Sequence, residues 1–195
     1  MKFKGDKITL IRVIHYARRQ LYSKSIAFVY ESKFYQQPAI KEGKAIVSVA
    51  KLEDLNDLIN IRGDYWGESA STRISSGEIC FVAKIDGKDV GCLWATFNHV
   101  WIPWVGYNLV LDDVTVGATD AYVVPEWRGK GIYTQLYSSF IDHFYKLKYS
   151  RFFGFIGPDN ALSIAVHNKL GMSKIVMEIQ ARRFFGIMVH KVINR

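Results

Sequence analysis

The chain has 195 residues, 49% of them hydrophobic and 14% aromatic, which is enough to bury the core of one domain plus an extension and too little for several domains. A formal charge of +8 favours an anionic partner such as a nucleotide cofactor, a nucleic acid or an acidic membrane, and charge alone does not choose among them. No apolar run reaches the roughly 18 residues of a membrane span, charges interrupt the N-terminal apolar stretch, and no basic tract interleaved with aromatics marks a nucleic-acid footprint, so a cytoplasmic protein with no nucleic-acid partner is the expectation.

Residues 1–44 differ in character from the rest and are expected to form an extension ahead of a domain over 45–195. Leu10, Val13, Ile14, Ala17 and Leu21 recur at helical spacing, with Arg12, His15, Arg18, Arg19 and Lys24 mostly off that stripe. The spacing predicts a basic amphipathic helix over 8–24, which either docks on an anionic membrane surface or packs on the domain or on a second subunit. "IAFVYESKFYQQP" adds a strand, and Pro38 with "KEGK" closes the extension as a linker.

From Ala45 the pattern is compact α/β. "AIVSVAKL" reads as a strand and "LEDLNDLINIR" as a helix with acidic residues suited to its start. "EICFVAKI" and "KDVGCLWATF" read as a hairpin turning at Asp86 and Gly87, and an even-length loop places Cys80 and Cys92 on opposite faces as free, structural thiols. Two cysteines make neither a disulfide framework nor a zinc site. "HVWIPWVGYNLVLDDVTVGA" reads as a loop plus a strand, a wall for substrate.

"DAYVVP" is a strand stopped by Pro125. "GIYTQLYSSFIDHFYKLKY" follows as a helix whose apolar face is Ile132, Leu136, Tyr137, Phe140, Ile141, Phe144 and Leu147. "RFFGFI" is the next strand, "PDNALSIAVHNKLG" a shorter helix ended by Gly171, and "SKIVMEIQARRFFGIMVHKV" one or two final strands, of which "ARRFFGIMVHKV" is apolar enough to join a homodimer interface.

The loop between the "DAYVVP" strand and the long helix carries the functional argument. The first amides of a helix lack internal partners and lie at the positive end of its dipole, which makes an anion site. Gly129 and Gly131 allow close approach of the main chain, Arg128 and Lys130 add charge, and Pro125 fixes the exit from the strand. The phosphate loop of nucleotide hydrolases is excluded because Gly131, not Ser or Thr, follows Lys130. The dinucleotide fingerprint is excluded because Thr134 stands where its third glycine belongs.

The stretch resembles the acyl-CoA-binding motif of the GNAT superfamily of N-acetyltransferases, Arg/Gln-x-x-Gly-x-Gly/Ala at a strand-to-helix junction, with Arg128, Gly131 and Tyr133 at its defined positions. A second stretch, with Asn160, Ser163, His167, Lys169, Leu170, Gly171 and Met172, is similar to the family's Asn-x-x-Ala/Ser…Tyr-x-Lys-Leu-Gly-Phe signature. The two occur in the family's order, and the resemblance spans roughly 45–178.

The resemblance implies an α/β GNAT fold: a mixed, mostly antiparallel central sheet flanked by helices, here with an N-terminal helical extension. It implies acetyl-CoA or another acyl-CoA as co-substrate, without a metal, and acyl transfer to a primary amine of a small molecule by direct attack in a ternary complex. The backbone of Arg128, Gly129, Lys130, Gly131, Ile132, Tyr133 and Thr134 would cradle the pyrophosphate. The Tyr133 ring, where the family has a small residue, either points into the core with Leu136 and Tyr137 or touches the cofactor.

By the same resemblance the "AYVVP" strand splays from "RFFGFI" and binds the pantetheine arm, with an N–H from Tyr122, Val123 or Val124 for the carbonyl oxygen. His167 stands where the family has tyrosine and is the candidate for protonating the thiolate. Its alternative is a helix residue packed beside the cofactor. Asn160 is a candidate for the CoA arm and also for an N-cap. Asp120, on the strand before the loop, is the candidate base, with a solvent-facing strand end as the alternative. Glu126 reads as structural, and Glu68, Asp112 and Asp113 are weaker candidates. Trp94, Trp101 and Trp104 stand in a segment that offers either an acceptor wall or core. A membrane-surface acyltransferase and a non-catalytic acyl-CoA-binding or partner-binding domain are the competing readings.

Overall fold

A computed structural model describes residues 22–34, 44–54 and 64–195. The expected helix over 8–21, most of the "LEDLNDLINIR" helix and most of the linker after Pro38 lie outside the described residues. Within them the chain forms strands β1 (Tyr22–Lys33), β2 (Ile46–Val49), β3 (Ile79–Ile85), β4 (Lys88–Thr96), β5 (His99–Ile102), β6 (Tyr107–Val110), β7 (Thr115–Val123), β8 (Arg151–Ile156), β9 (Lys174–Phe184) and β10 (Ile187–Asn194). The helices are α1 (Asp64–Ser75), α2 (Ile132–Lys146) and α3 (Ala161–Lys169).

Eight strands make one sheet in the order β10-β9-β1-β8-β7-β4-β3-β2, and β5 pairs with β6 apart from it. Neighbours are antiparallel except β7 and β8. That parallel pair needs a crossover, and α2 supplies it.

The middle strands of the sheet are covered on both faces. Phe81, Ala83, Leu93, Val116 and Phe152 turn to one face and pack against Leu136, Tyr137, Phe140, Ile141 and Phe144 of α2. Aromatic rings fill this layer: Phe140 lies 5.3 Å from Phe152 and 4.9 Å from Phe144 between ring centroids. Leu147, expected on this face, is 55% exposed because α2 ends at Lys146. On the opposite face Ala70 and Ile74 of α1 cover Cys80, Val82, Cys92 and Trp94, while the β5–β6 hairpin covers Ala27, Val29, Ile179 and Ala181.

Two expectations are corrected here. The amphipathic helix was expected to run through Lys24, whereas the strand starts at Tyr22: its backbone pairs on both sides, Phe28 opposite Ile156 of β8 and opposite Glu178 of β9. Two ladders outweigh helical propensity, and the segment placed in the extension lies in the middle of the sheet. Cys80 and Cys92 face the same way, not opposite ways. The turn pairs Ile85 with Lys88 as expected, but a bulge between Ala83 and Lys84 shifts the register so that Cys80 opposes Trp94 and Val82 opposes Cys92. Both thiols are free and buried, and the neighbouring Cys92 together with burial pushes the Cys80 thiol far up.

Candidate functional site

The β7–β8 ladder runs from Thr115 opposite Arg151 to Ala118 opposite Gly154 and stops. Beyond it β7 stays on β4 as far as Val123 opposite Gly91, and β8 stays on β1 as far as Ile156 opposite Phe28, so each strand keeps its outer partner while the two part from each other. The expected splay is therefore present in the ladder. A cleft of about 890 Å³ opens there, reaching from Tyr133 and His167 past Ala118–Ala121 to Arg73 and Trp101.

The end of β7 presents main-chain groups to this opening. Val124 N–H donates to Val90 O at 3.0 Å and is spent on β4. Alternation along the strand then turns Tyr122 toward β4 and Val123 toward the open edge, where its carbonyl accepts Arg128 Nε at 3.0 Å. Of the three expected donors, Val123 is the one whose N–H faces the splay.

Past Pro125–Trp127, a 3-10 turn that contains Glu126, the chain takes left-handed conformations at Gly129 (φ 74°) and Gly131 (φ 82°). A Cβ at either position would meet nothing within 4 Å, so the loop is open to the outside. Gly131 is the N-cap of α2, without a side-chain cap, and the first helical bond is Gln135 N–H to Gly131 O at 3.1 Å. The amides of Ile132, Tyr133 and Thr134 thus project from the helix end, beside exposed Arg128 and Lys130, whose Nζ lies 4.3 Å over the Trp127 ring. These residues fit an anionic pyrophosphate.

His167 is 3% exposed and stands over Gly154, where an added Cβ would come within 3.3 Å of its Nε2. Nδ1 lies 2.8 Å from Ser163 O, and Nε2 lies 3.2 Å from the Tyr137 hydroxyl. Burial holds its pKa below the usual histidine range, partly opposed by the Ser163 carbonyl. A depressed folded-state pKa means that the unfolded chain takes up the proton first: His167 stabilises the fold above about pH 6.5 and loses that contribution as pH falls through its folded value. His143 is shifted the same way by burial, so the wild type alone does not isolate the effect. Urea unfolding at about pH 7.5 and about pH 5 is expected to show a smaller acid loss for His167→Gln than for the wild type.

Tyr133 has the core contact expected as one alternative. Its ring stacks 4.9 Å from Tyr137 at the core edge and also borders the cleft. Asn160 caps α3, its Oδ1 accepting Ser163 N–H at 3.1 Å, and also lines the cleft.

Asp120 sits in a bulge of β7 at φ 47°, an uncommon conformation for a residue with a side chain. The bulge turns Thr119 and Asp120 both toward Arg73, which Asp120 meets at 2.6 Å and Thr119 at 3.1 Å. Arg73 also holds Glu78 through Nε and Nη2 at 2.9 and 2.7 Å, and it lies 4.0 Å over the buried Trp94 ring. Thr96 donates to Glu78 at 2.8 Å. Sequence reading missed this network, because its members stand as far as 47 residues apart and only β4–β7 pairing unites them. It also left the β5–β6 hairpin unresolved, from which Trp101 (60% exposed) and Trp104 (42%) face the cleft. Asp112 pairs instead with Arg151 and the Thr115 hydroxyl at the far end of β7, which hold its carboxyl below the usual range, and Asp113 lies next to it. Glu68 falls on α1, not in a loop. Among the described residues no group of three or more His, Cys, Asp or Glu is placed to hold a metal, and no helix is long and apolar enough to cross a membrane.

The profile of the acetyltransferase (GNAT) family matches residues 49–172, which includes the splayed strands, the glycine loop and α3. The chain belongs to that family. As a GNAT acetyltransferase it is a transferase of the acyl-CoA class. Solved structures share the fold: the aminoglycoside acetyltransferase AAC(6')-Iy in complex with the bisubstrate analogue CoA-S-monomethyl-acetylneamine (18% identity, 67% of this chain and 92% of that one, TM-score 0.53). Others are the aminoglycoside antibiotic 6'-N-acetyltransferase AAC(6')-Ih from Acinetobacter baumannii (18%, 67% and 92%, 0.54) and the ribosomal-protein-S18-alanine N-acetyltransferase from Escherichia coli (15%, 65% and 76%, 0.52). No curated protein matches the sequence significantly.

Proposed function

We propose that this GNAT domain transfers an acetyl group from acetyl-CoA to a primary amine of a small molecule, in the cytoplasm, by direct attack with both substrates bound. The observation that carries this reading is the opening between β7 and β8, bordered by Tyr133 from the first turn of α2, whose free amides would hold an anion beside it. The pyrophosphate would lie on the amides of 129–134, and the pantetheine arm in the slot. The Val123 N–H would stabilise the carbonyl oxygen. The aglycone or backbone of the acceptor amine would enter from the Trp101 side, whose exposed rings offer flat apolar surface.

Asp120 takes part on the amine side. Its carboxylate meets Arg73 at 2.6 Å, and it acts through a hydrogen bond or an intervening water that receives the amine's proton. His167 and the tyrosines touching it sit on the opposite wall, where the sulphur would depart.

Calorimetric titration with acetyl-CoA tests the cradle. Arg128→Glu reverses the charge beside the loop and removes the bond to Val123 O, and it is expected to weaken binding at least tenfold. Equal binding by the variant would overturn the placement of the pyrophosphate. Thiol release on mixing the acetyl-CoA complex with a panel of amines then tests transfer, and binding without release across the panel would leave a non-catalytic acyl-CoA-binding domain.

A further inference from the structure

Three polar side chains crowd the wall of the cleft where β7 and β8 part: Tyr133 and Tyr137 from α2, and His167 from α3. Their protons are accountable one by one. His167 Nδ1 stands 2.8 Å from the Ser163 carbonyl, which only accepts, so Nδ1 carries the ring proton of the neutral imidazole. Nε2 then holds the lone pair and receives the Tyr137 O–H at 3.2 Å. Two of the three protons are committed.

The third is not. Tyr133 Oη approaches His167 at 3.5 Å, but at Nδ1, the nitrogen that already bears a proton and has no lone pair to offer. The Tyr133 proton is left to the neighbouring Tyr137 oxygen or to whatever occupies the cleft. Tyr137 is 2% exposed and lies behind, whereas Tyr133 is half-buried on the first turn of α2, among the residues whose amides form the anion cradle. A donor anchored there passes the Tyr133 hydroxyl on its way into the slot.

We propose that Tyr133 is a catalytic residue that hands its hydroxyl proton to the departing sulphur, with His167 and Tyr137 as the positioning residues that hold it; this rests on the acyl-transfer reading above. The nitrogen–carbon bond forms and the carbon–sulphur bond breaks. The sulphur takes the proton from Tyr133 Oη, and the proton that the nitrogen releases on the Asp120 side passes through water to the phenolate, so nothing else is consumed. Burial, the charge of an ionised Tyr137 and its hydroxyl push the Tyr133 pKa far up, which keeps the hydroxyl protonated across the neutral range. The bulky ring at a place where the loop motif expects a small residue thereby acquires a use.

Tyr133→Phe keeps the ring and removes only the hydroxyl. The test follows thiol release from acetyl-CoA with hydroxylamine, a nucleophile largely unprotonated at neutral pH and small enough to need no acceptor subsite. The variant is expected to lose about 100-fold in kcat. Its KM for acetyl-CoA and its calorimetric affinity for CoA should stay within about twofold of the wild type. A solvent deuterium isotope effect on kcat should be present in the wild type and absent in the variant. A loss in kcat of less than about threefold, a loss of CoA affinity matching the loss of rate, or an isotope effect retained in the variant would each overturn the assignment. If the unmodified chain binds acetyl-CoA yet releases no thiol, the transfer reading itself falls and the role of Tyr133 with it.

Discussion

Gly131→Val is expected to leave a folded chain that no longer binds CoA measurably, a weakening of about 100-fold or more. Two effects act on different properties. Gly131 sits at φ 82°, where a residue with a Cβ costs about 1–2 kcal/mol, so some stability is lost whatever the surroundings. Apart from its chain neighbours, no atom of the described residues lies within 4 Å of where the Cβ would stand, so no other part of the fold collides with it. The added methyl groups project into the space over the amides of Ile132 and Tyr133, where a phosphate would lie. Thermal unfolding should show a modest shift, and calorimetry the loss of binding. A variant that binds CoA normally would mean that the loop faces solvent for reasons unrelated to an anion.

Arg73→Met should do the reverse, preserving the cradle and damaging the acceptor side. The side chains of Arg73 and Glu78 are 18% and 20% exposed, and removal of the guanidinium leaves a mostly buried carboxylate with Thr96 as its remaining donor. The expected cost is roughly 2–3 kcal/mol, with little from the half-exposed Asp120 pair, which water screens. Asp120 loses the contact that fixes its direction in the bulge, and transfer to amines should fall by roughly tenfold or more while CoA affinity is unchanged. Urea unfolding, calorimetry and thiol release read the three outcomes separately. Lost CoA binding would show that the network supports the cofactor side instead.

What could be read in the sequence was local. A glycine at φ 74° or 82°, a proline ending a strand and an asparagine capping α3 are each decided by a few neighbouring residues, so the loop over 125–131 and the Asn160 cap were legible. The faces of α2 were legible because seven apolar residues recur at helical spacing, except at Leu147, just beyond its end. The α1 helix was not: "DYWGESASTRIS" holds a glycine, few apolar residues and many hydroxyls, so no stripe announces it. The cysteine faces depended on one bulge between Ala83 and Lys84, which no turn residue signals. The position of β1 depended on partners more than 100 residues away, and the Arg73 network on which strand pairs with which. Alternation reports that a segment is a strand, never its neighbours.

The insertion of β1 between β8 and β9 has a kinetic consequence. Its ladders join residues as distant as Tyr22 and Phe184, and β8, one wall of the slot, has no second neighbour until β1 arrives. A strand made before its partners must wait for them, with its edges exposed to any other chain in the meantime. The half of the sheet in which β1 joins β8 and β9 therefore closes late and slowly, by non-local pairing, while the β3–β4 hairpin can form as soon as it is made.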